Sequence, residues 1–172
     1  MKKYTNTRGF TLIELLLYLA ITPLILLTIF VFLSSFFEAR VKNQTIMEVE
    51  EQGIYAMNSI IEAIRNAEAI NTPLGGASAS FLSLDVINAA LDPTVFDVSG
   101  STLRITEGAG TPVALTNTRV VASGLTFQNL SYPSTPGIIR VQFTLSRVNP
   151  EARYEYNFIK TFYGSANIRQ RL

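Results

Sequence analysis

The chain has 172 residues, with 14 Lys+Arg, 13 Asp+Glu, no histidine and no cysteine, room for one membrane segment and one modest globular domain but not two large ones. Without cysteine there is no disulfide framework, thiolate zinc site or cysteine nucleophile, and the redox compartment is left open; without histidine the commonest general base and metal ligand are gone. Three of the basic residues, Lys2, Lys3 and Arg8, precede a long apolar run, which leaves 11 basic against 13 acidic residues in the body, no clustered basic face, and so no direct nucleic-acid binding to expect.

The apolar run extends from Phe10 to Phe37, 28 residues in which Glu14 is the only charge. As a helix it would reach about 42 Å, more than the ~30 Å hydrocarbon core of a bilayer, so residues 10–37 are expected to span a membrane. A conventional cleaved secretory signal fits poorly: the run is too long, carries an acid near its start and ends in "SSFFEAR", without an A-x-A-like site. The basic residues ahead of the run, with Glu38 just behind it, place the short N-terminus in the cytoplasm and the chain from Glu38 onward outside. Pro23 removes one helical hydrogen bond, so a kink or local unwinding is expected near Leu19 to Pro23, with Thr22 or neighbouring helices re-satisfying the backbone. Two readings of it stay open, an ordinary membrane kink and a segment that bends when packed among copies.

A carboxylate in the apolar centre of a membrane helix costs ~2.5–3.5 kcal/mol, less near an end, so Glu14 should have a partner or a task. If the chain is cut between Gly9 and Phe10, the new α-amino group of Phe10, with an ordinary pKa of ~7.7–8.0, is a cation about one helical turn away. Such a pair could form within one chain or between neighbouring chains, where an unpaired charge on either partner makes docking selective. Glycine before the cut suits a protease that needs an extended, uncrowded backbone there.

"KKYTNTRG" followed by "FTLIELL" resembles the class III signal of bacterial type IV prepilins and type II secretion pseudopilins. A basic leader ends in glycine, phenylalanine becomes the first mature residue, and a glutamate stands fifth from the cut ahead of a long apolar helix. The resemblance covers the first quarter of the chain. It implies that a membrane-embedded prepilin peptidase removes residues 1–9 by cleaving between Gly9 and Phe10, that Phe10 is N-methylated, and that the apolar helices pack into a filament core with Glu14 paired to the amine of an adjacent subunit. It further implies an inner-membrane assembly platform and other major and minor subunits as partners, besides the lipid bilayer. One departure is that many members carry a proline further along this helix, near the position of Val31 here, whereas this chain has Pro23.

Residues 38–70 read as a continuation of the same helix, now amphipathic. Ile46, Val49, Ile54, Met57, Ile61 and Ile64, with Ile60 beside them, form an apolar stripe, while Glu48, Glu50, Glu51, Glu62 and Arg65 fall mostly on other faces. The stripe is expected to pack on the protein's own sheet. Gly53 weakens the helix by ~1 kcal/mol relative to alanine. "NTPLGG", residues 71–76, supplies the stop.

From Ser80 the pattern changes to period two. "SFLSLDV" alternates through Leu82, Leu84 and Val86, and "TVFDVSGSTLRIT" reads as two strands around a compact turn at Ser99, Gly100 and Ser101. "VVASGLTFQNLSY" carries Leu125, Phe127 and Leu130, and "GIIRVQFTLSRV" alternates through Ile139, Val141, Phe143 and Leu145. "RYEYNFIKTFY" alternates as Tyr154, Tyr156 and Phe158, then loses register at Ile159, which suggests a bulge or strand end. One apolar face per strand suits an antiparallel sheet with its other face in water. The fold class expected is α+β and type IV pilin-like: a long N-terminal helix, half transmembrane and half amphipathic, packed on a mostly antiparallel β-sheet domain over residues 71–172.

Chemistry in this domain is sparse. "ITEGAGTP" lacks the lysine and serine or threonine of a phosphate loop and reads as a turn. Asp85, Asp92, Asp97 and Glu107 lack calcium-loop spacing and read as scattered surface acids, so no metal and no cofactor is expected. Tyr132, Tyr154, Tyr156 and Tyr163 could line a ligand surface, but at alternating strand positions two of them read as half-buried sheet residues. "NIRQRL" reads as a solvated basic tail. No nucleophile, base and orienting group come together, and an enzyme is not expected.

"IEAIRNAEAINTP" followed by a strand resembles, as far as about residue 86, the J-type minor pseudopilins (PulJ/GspJ) and PilW-like minor pilins, which implies a low-copy subunit near a filament tip. The expected function is thus a minor pilin or pseudopilin that helps initiate or cap a type IV pilus or type II secretion pseudopilus. The alternatives are a major repeating subunit of the same family, or an uncut, signal-anchored surface receptor or enzyme. The expected location is the bacterial cytoplasmic (inner) membrane, single-pass, and then the filament.

Overall fold

A computed structural model describes residues 9–132 and 137–169; the leader residues Lys2, Lys3 and Arg8 lie outside them. The first element is one helix, α1 (Leu12–Asn66), 55 residues long. Nine strands follow: β1 (Ala69–Thr72), β2 (Ser78–Ala79), β3 (Leu82–Asp85), β4 (Thr94–Ser99), β5 (Thr102–Glu107), β6 (Val113–Ala114), β7 (Val120–Asn129), β8 (Ile138–Arg147) and β9 (Ile159–Asn167). The chain divides into two compact units, one ending at Arg40 and the other beginning at Val41.

In the first unit the apolar side chains of α1 are exposed, from Leu12 at 79% to Phe37 at 58%. The helix is long and apolar enough to cross a membrane. Two hydroxyls inside this stretch are satisfied by the helix itself: Thr28 Oγ1 donates to the carbonyls of Leu24 (3.1 Å) and Ile25 (2.7 Å), and Ser34 Oγ to those of Phe30 (3.0 Å) and Val31 (3.2 Å). Such back-bonding lets polar residues sit in an apolar run without an unpaired donor. The helix runs unbroken through Pro23, so of the kink or local unwinding expected there the unwinding is not seen.

In the second unit the strands form two antiparallel sheets, β1-β3-β4-β5-β6 and β2-β7-β8-β9, where the sequence pattern suggests only one. β1, for which the sequence suggests helix to Ile70 and then a stop, pairs Ile70 with Leu84 across β3. The turn between β4 and β5 is the one read from the sequence: Ser99 pairs with Thr102, and Gly100 and Ser101 take φ of 56° and 65°. Positive φ at both central residues gives the turn a twist that matches the flanking strands.

The core lies between α1 and the sheets. Val49, Ala56, Ile60 and Ile64 of the helix are fully buried with Leu82, Leu84, Phe96, Leu103, Phe127, Val141 and Phe143 of the strands, each large side chain contributing about 1.5–3 kcal/mol relative to exposure. Of the stripe expected on α1, Val49, Met57, Ile60 and Ile64 are buried against the sheets. Ile54 is 55% exposed and Ile46 and Ile61 half-buried, while Gly53 and Ala56 face the sheets.

Several polar contacts fix α1 against the strands. Glu48 pairs with Arg147 and, at 3.5 Å, with Arg119, and accepts from Asn117 Nδ2 at 3.1 Å. Gln52 Oε1 accepts the N–H of Asn117 at 2.8 Å, and Lys160 pairs with Glu50 at 2.6 Å. Between β8 and β9 the chain makes a single 3-10 turn at Tyr154–Tyr156 in place of the strand expected from the alternating aromatics. Tyr156 is half-buried there, but Tyr132, Tyr154 and Tyr163 are 78%, 81% and 68% exposed, so only one of the four tyrosines is half-buried and it is not on a strand. At the C-terminal end, Asn167 closes β9 and Ile168 is buried, so "NIRQRL" begins as part of the sheet; residues 170–172 lie outside the described ones.

Candidate functional site at the helix N-terminus

Gly9 and Phe10 stand just before the first turn of α1, both exposed, Phe10 at 74%. A Cβ added at Gly9 would meet nothing within 4 Å. Among the described residues, no packing demands glycine at position 9. The ring of Phe10 lies edge-on to Tyr18, with centroids 5.9 Å apart.

Thr11 and Glu14 form the start of the helix. Thr11 N–H donates to Glu14 Oε2 at 3.4 Å, its hydroxyl donates to the same oxygen at 3.3 Å, and Glu14 N–H donates back to Thr11 Oγ1 at 3.3 Å. The first helical hydrogen bond runs from Leu15 N–H to the Thr11 carbonyl at 3.2 Å. This is a capping box, in which two otherwise orphaned amide donors are satisfied reciprocally. Its signal is legible in "TLIE", the S/T-x-x-E pattern ahead of an apolar run, and Thr11 is the residue that the motif reading passes over. The carboxylate also sits where the positive end of the helix dipole favours it. Glu14 is exposed, and a carboxylate has lone pairs to spare after two such bonds, so the box leaves it able to accept a second partner.

No family model, curated protein or solved structure matches this chain.

Elsewhere the structure brings few chemically useful groups together. Among the described residues no three His, Cys, Asp or Glu side chains converge on a point that could hold a metal ion. Of the acids read as scattered, Asp97 is engaged by Arg104 at 2.6 Å. An open cleft of about 530 Å³ runs beside α1 at Ser59, Glu62 and Asn66, walled by Val86, Leu91 and Ile105; with Glu62 and Glu107 as its carboxylates, it holds no nucleophile paired with a base. The pKa of Glu155 is displaced. Its own backbone N–H and then the Arg153 guanidinium hold it below the usual glutamate range, against the opposing effect of burial.

Proposed function

We propose that this chain is a structural subunit of the type IV pilin and pseudopilin class, inserted by its N-terminal helix and processed between Gly9 and Phe10. The observation that carries the reading is the join between motif and helix. A basic leader ends at Gly9, a capping box at Thr11 and Glu14 starts a 55-residue helix at once, and that helix changes from an exposed apolar stretch to one buried against antiparallel sheets. The capping box accounts for one task of Glu14 and leaves its charge for another, the amine of Phe10 on a neighbouring subunit. Within the class the chain is a minor subunit acting at initiation or at the tip; this choice rests on the J-type resemblance of "IEAIRNAEAINTP". The prepilin peptidase, the other subunits and the assembly platform are its partners, and the cytoplasmic membrane is where it starts.

Intact mass and N-terminal sequencing of the protein recovered from its own membranes test the reading. A chain that begins at N-methylated Phe10 is the expected result. A chain that keeps Met1 leaves Glu14 without the amine proposed for it and turns the reading to a signal-anchored surface protein.

A further inference from the structure

We propose that the segment between β8 and β9, residues 148–158, is a lipid-contacting foot that lays the ring of Tyr154 in the phospholipid headgroup layer on the outer side of the membrane; the proposal rests on the membrane-spanning reading of α1.

Lys42 of α1 fastens the segment by hydrogen bonds. Lys42 Nζ donates to the carbonyl of Asn157 at 2.6 Å and to that of Tyr154 at 3.4 Å, and lies 4.9 Å from the centre of the Tyr154 ring. The loop is internally tied as well: Asn149 Nδ2 donates to the Arg153 carbonyl at 2.8 Å, and Arg153 N–H donates to Asn149 Oδ1 at 2.9 Å. Arg153 pairs with Glu155 and stands 5.4 Å from the ring of Tyr156. The segment is therefore built rather than loose, yet it leaves Tyr154 81% exposed. An ordered loop that presents a tyrosine to solvent, beside a lysine and an arginine, has the composition that collects at membrane interfaces, where an apolar ring and a polar tip are both accommodated.

Chain connectivity sets the depth. With Glu14 at the inner headgroup boundary, Leu15 to Phe37 is 23 residues, about 34 Å of helix, which fits a ~30 Å core with modest tilt. Lys42 follows Phe37 by five residues, a rise of about 7.5 Å in a helix. The headgroup region adds about 5–7 Å to each side of the core. A loop held by its carbonyls to Lys42 is therefore brought to that layer.

The chain contains no tryptophan, so a single introduced Trp is a depth reporter. Full-length Tyr154→Trp, Tyr163→Trp and Phe30→Trp variants would be reconstituted in vesicles of phosphatidylcholine and phosphatidylglycerol carrying spin labels at the headgroup or along the acyl chain. The expected result is a blue-shifted emission from the Tyr154→Trp variant that headgroup labels quench, a Tyr163→Trp variant that emits as in water, and a Phe30→Trp variant quenched by acyl labels. Adding Lys42→Ala to Tyr154→Trp should shift the emission back toward that of water. A Tyr154→Trp variant that emits as in water while Phe30→Trp is quenched overturns the foot alone. If Phe30→Trp is not quenched either, the spanning reading fails and the foot fails with it.

Discussion

Gly53 of α1 faces Phe162 of β9 so closely that a Cβ at residue 53 would stand 2.0 Å from Cζ of the ring. Phe162 has little room to retreat, since it is stacked on Phe143 with centroids 5.3 Å apart. One turn on, Gly164 repeats the arrangement from the strand side, a Cβ there falling 2.5 Å from Met57 Sδ. The helix thus meets β9 through two missing side chains. Gly53→Ala gains about 1 kcal/mol of helix propensity but forces overpacking that costs about 1–3 kcal/mol. With three ring atoms inside 2.5 Å the overpacking term wins, and the variant should melt lower than the parent in detergent. Adding Phe162→Leu should recover part of the loss; a melting point that rises on Gly53→Ala alone would contradict this account.

Glu48 is shared by two arginines of unequal burial. The Arg147 side chain is 18% exposed and that of Arg119 68%, and Arg147 Nε is buried without a partner. Glu48→Gln removes the counter-charge from Arg147 and should cost about 1–3 kcal/mol, whereas Arg119→Gln removes a solvent-screened contact and should cost at most about 1 kcal/mol. Denaturant midpoints of the two variants, measured side by side, check the order; equal losses would mean that the burial of Arg147 does not matter.

Glu155 should make stability fall in acid. Its pKa in the folded chain is held below the ordinary value of 4.5, first by its own backbone N–H and then by Arg153, with burial opposing. A carboxylate with a depressed folded pKa contributes stability above its unfolded pKa and loses it as pH falls through the folded one. Midpoints from pH 6 down to about pH 3 should therefore drop more steeply in the parent than in Glu155→Gln, and parallel curves would rule the effect out.

How far the sequence discloses the structure depends on whether a residue's contribution is carried by its own hydrophobicity. The helix, the longer strands and the turn at Gly100–Ser101 are legible because period and turn chemistry are strong local signals. The stripe on α1 is legible at Val49, Met57, Ile60 and Ile64, but a search for large apolar residues passes over the buried Gly53 and Ala56 and takes in the exposed Ile54. β2 and β6 have two residues each, too few for any period, and exist only through their partners. Tyr154 and Tyr156 alternate like a strand, yet Lys42 and the Asn149–Arg153 bonds hold the backbone in a turn. At the candidate site, Gly9, Phe10 and Glu14 stand out in the motif, whereas Thr11, although "TLIE" carries the capping-box pattern, is passed over until the helix is seen to start at Leu12.

Ser101 holds its place in the turn with a left-handed backbone, φ 65°, that costs a residue other than glycine, asparagine or aspartate about 1 kcal/mol. Its carbonyl accepts from Ala122 N–H at 2.8 Å, a bond that any side chain at 101 preserves. Ser101→Asn should raise the thermal midpoint by a few degrees, corresponding to about 0.5 kcal/mol. A lowered midpoint would show that the serine side chain has a role that its backbone angle does not reveal.

Glu14 caps α1, and under the proposed function it also pairs with a neighbouring amine; one substitution separates the two. Glutamine at the same place in a capping box still bonds the N-cap residue, so Glu14→Gln should keep the helix start and leave cleavage after Gly9 intact. It removes the charge, so if Glu14 pairs with the amine of a neighbouring Phe10, Glu14→Gln should be incorporated into filaments as poorly as Glu14→Val. Thr11→Ala does the reverse: it weakens the cap by about 1 kcal/mol and keeps the carboxylate, so incorporation should be largely retained. If the proposed cleavage occurs, Gly9→Val should block it by crowding the scissile bond while leaving the domain's melting point unchanged, since a Cβ at residue 9 meets nothing within 4 Å among the described residues. Mass analysis of membrane and sheared fractions reads all four variants. Normal incorporation of Glu14→Gln alongside failure of Thr11→Ala would leave the glutamate as a helix cap and nothing more.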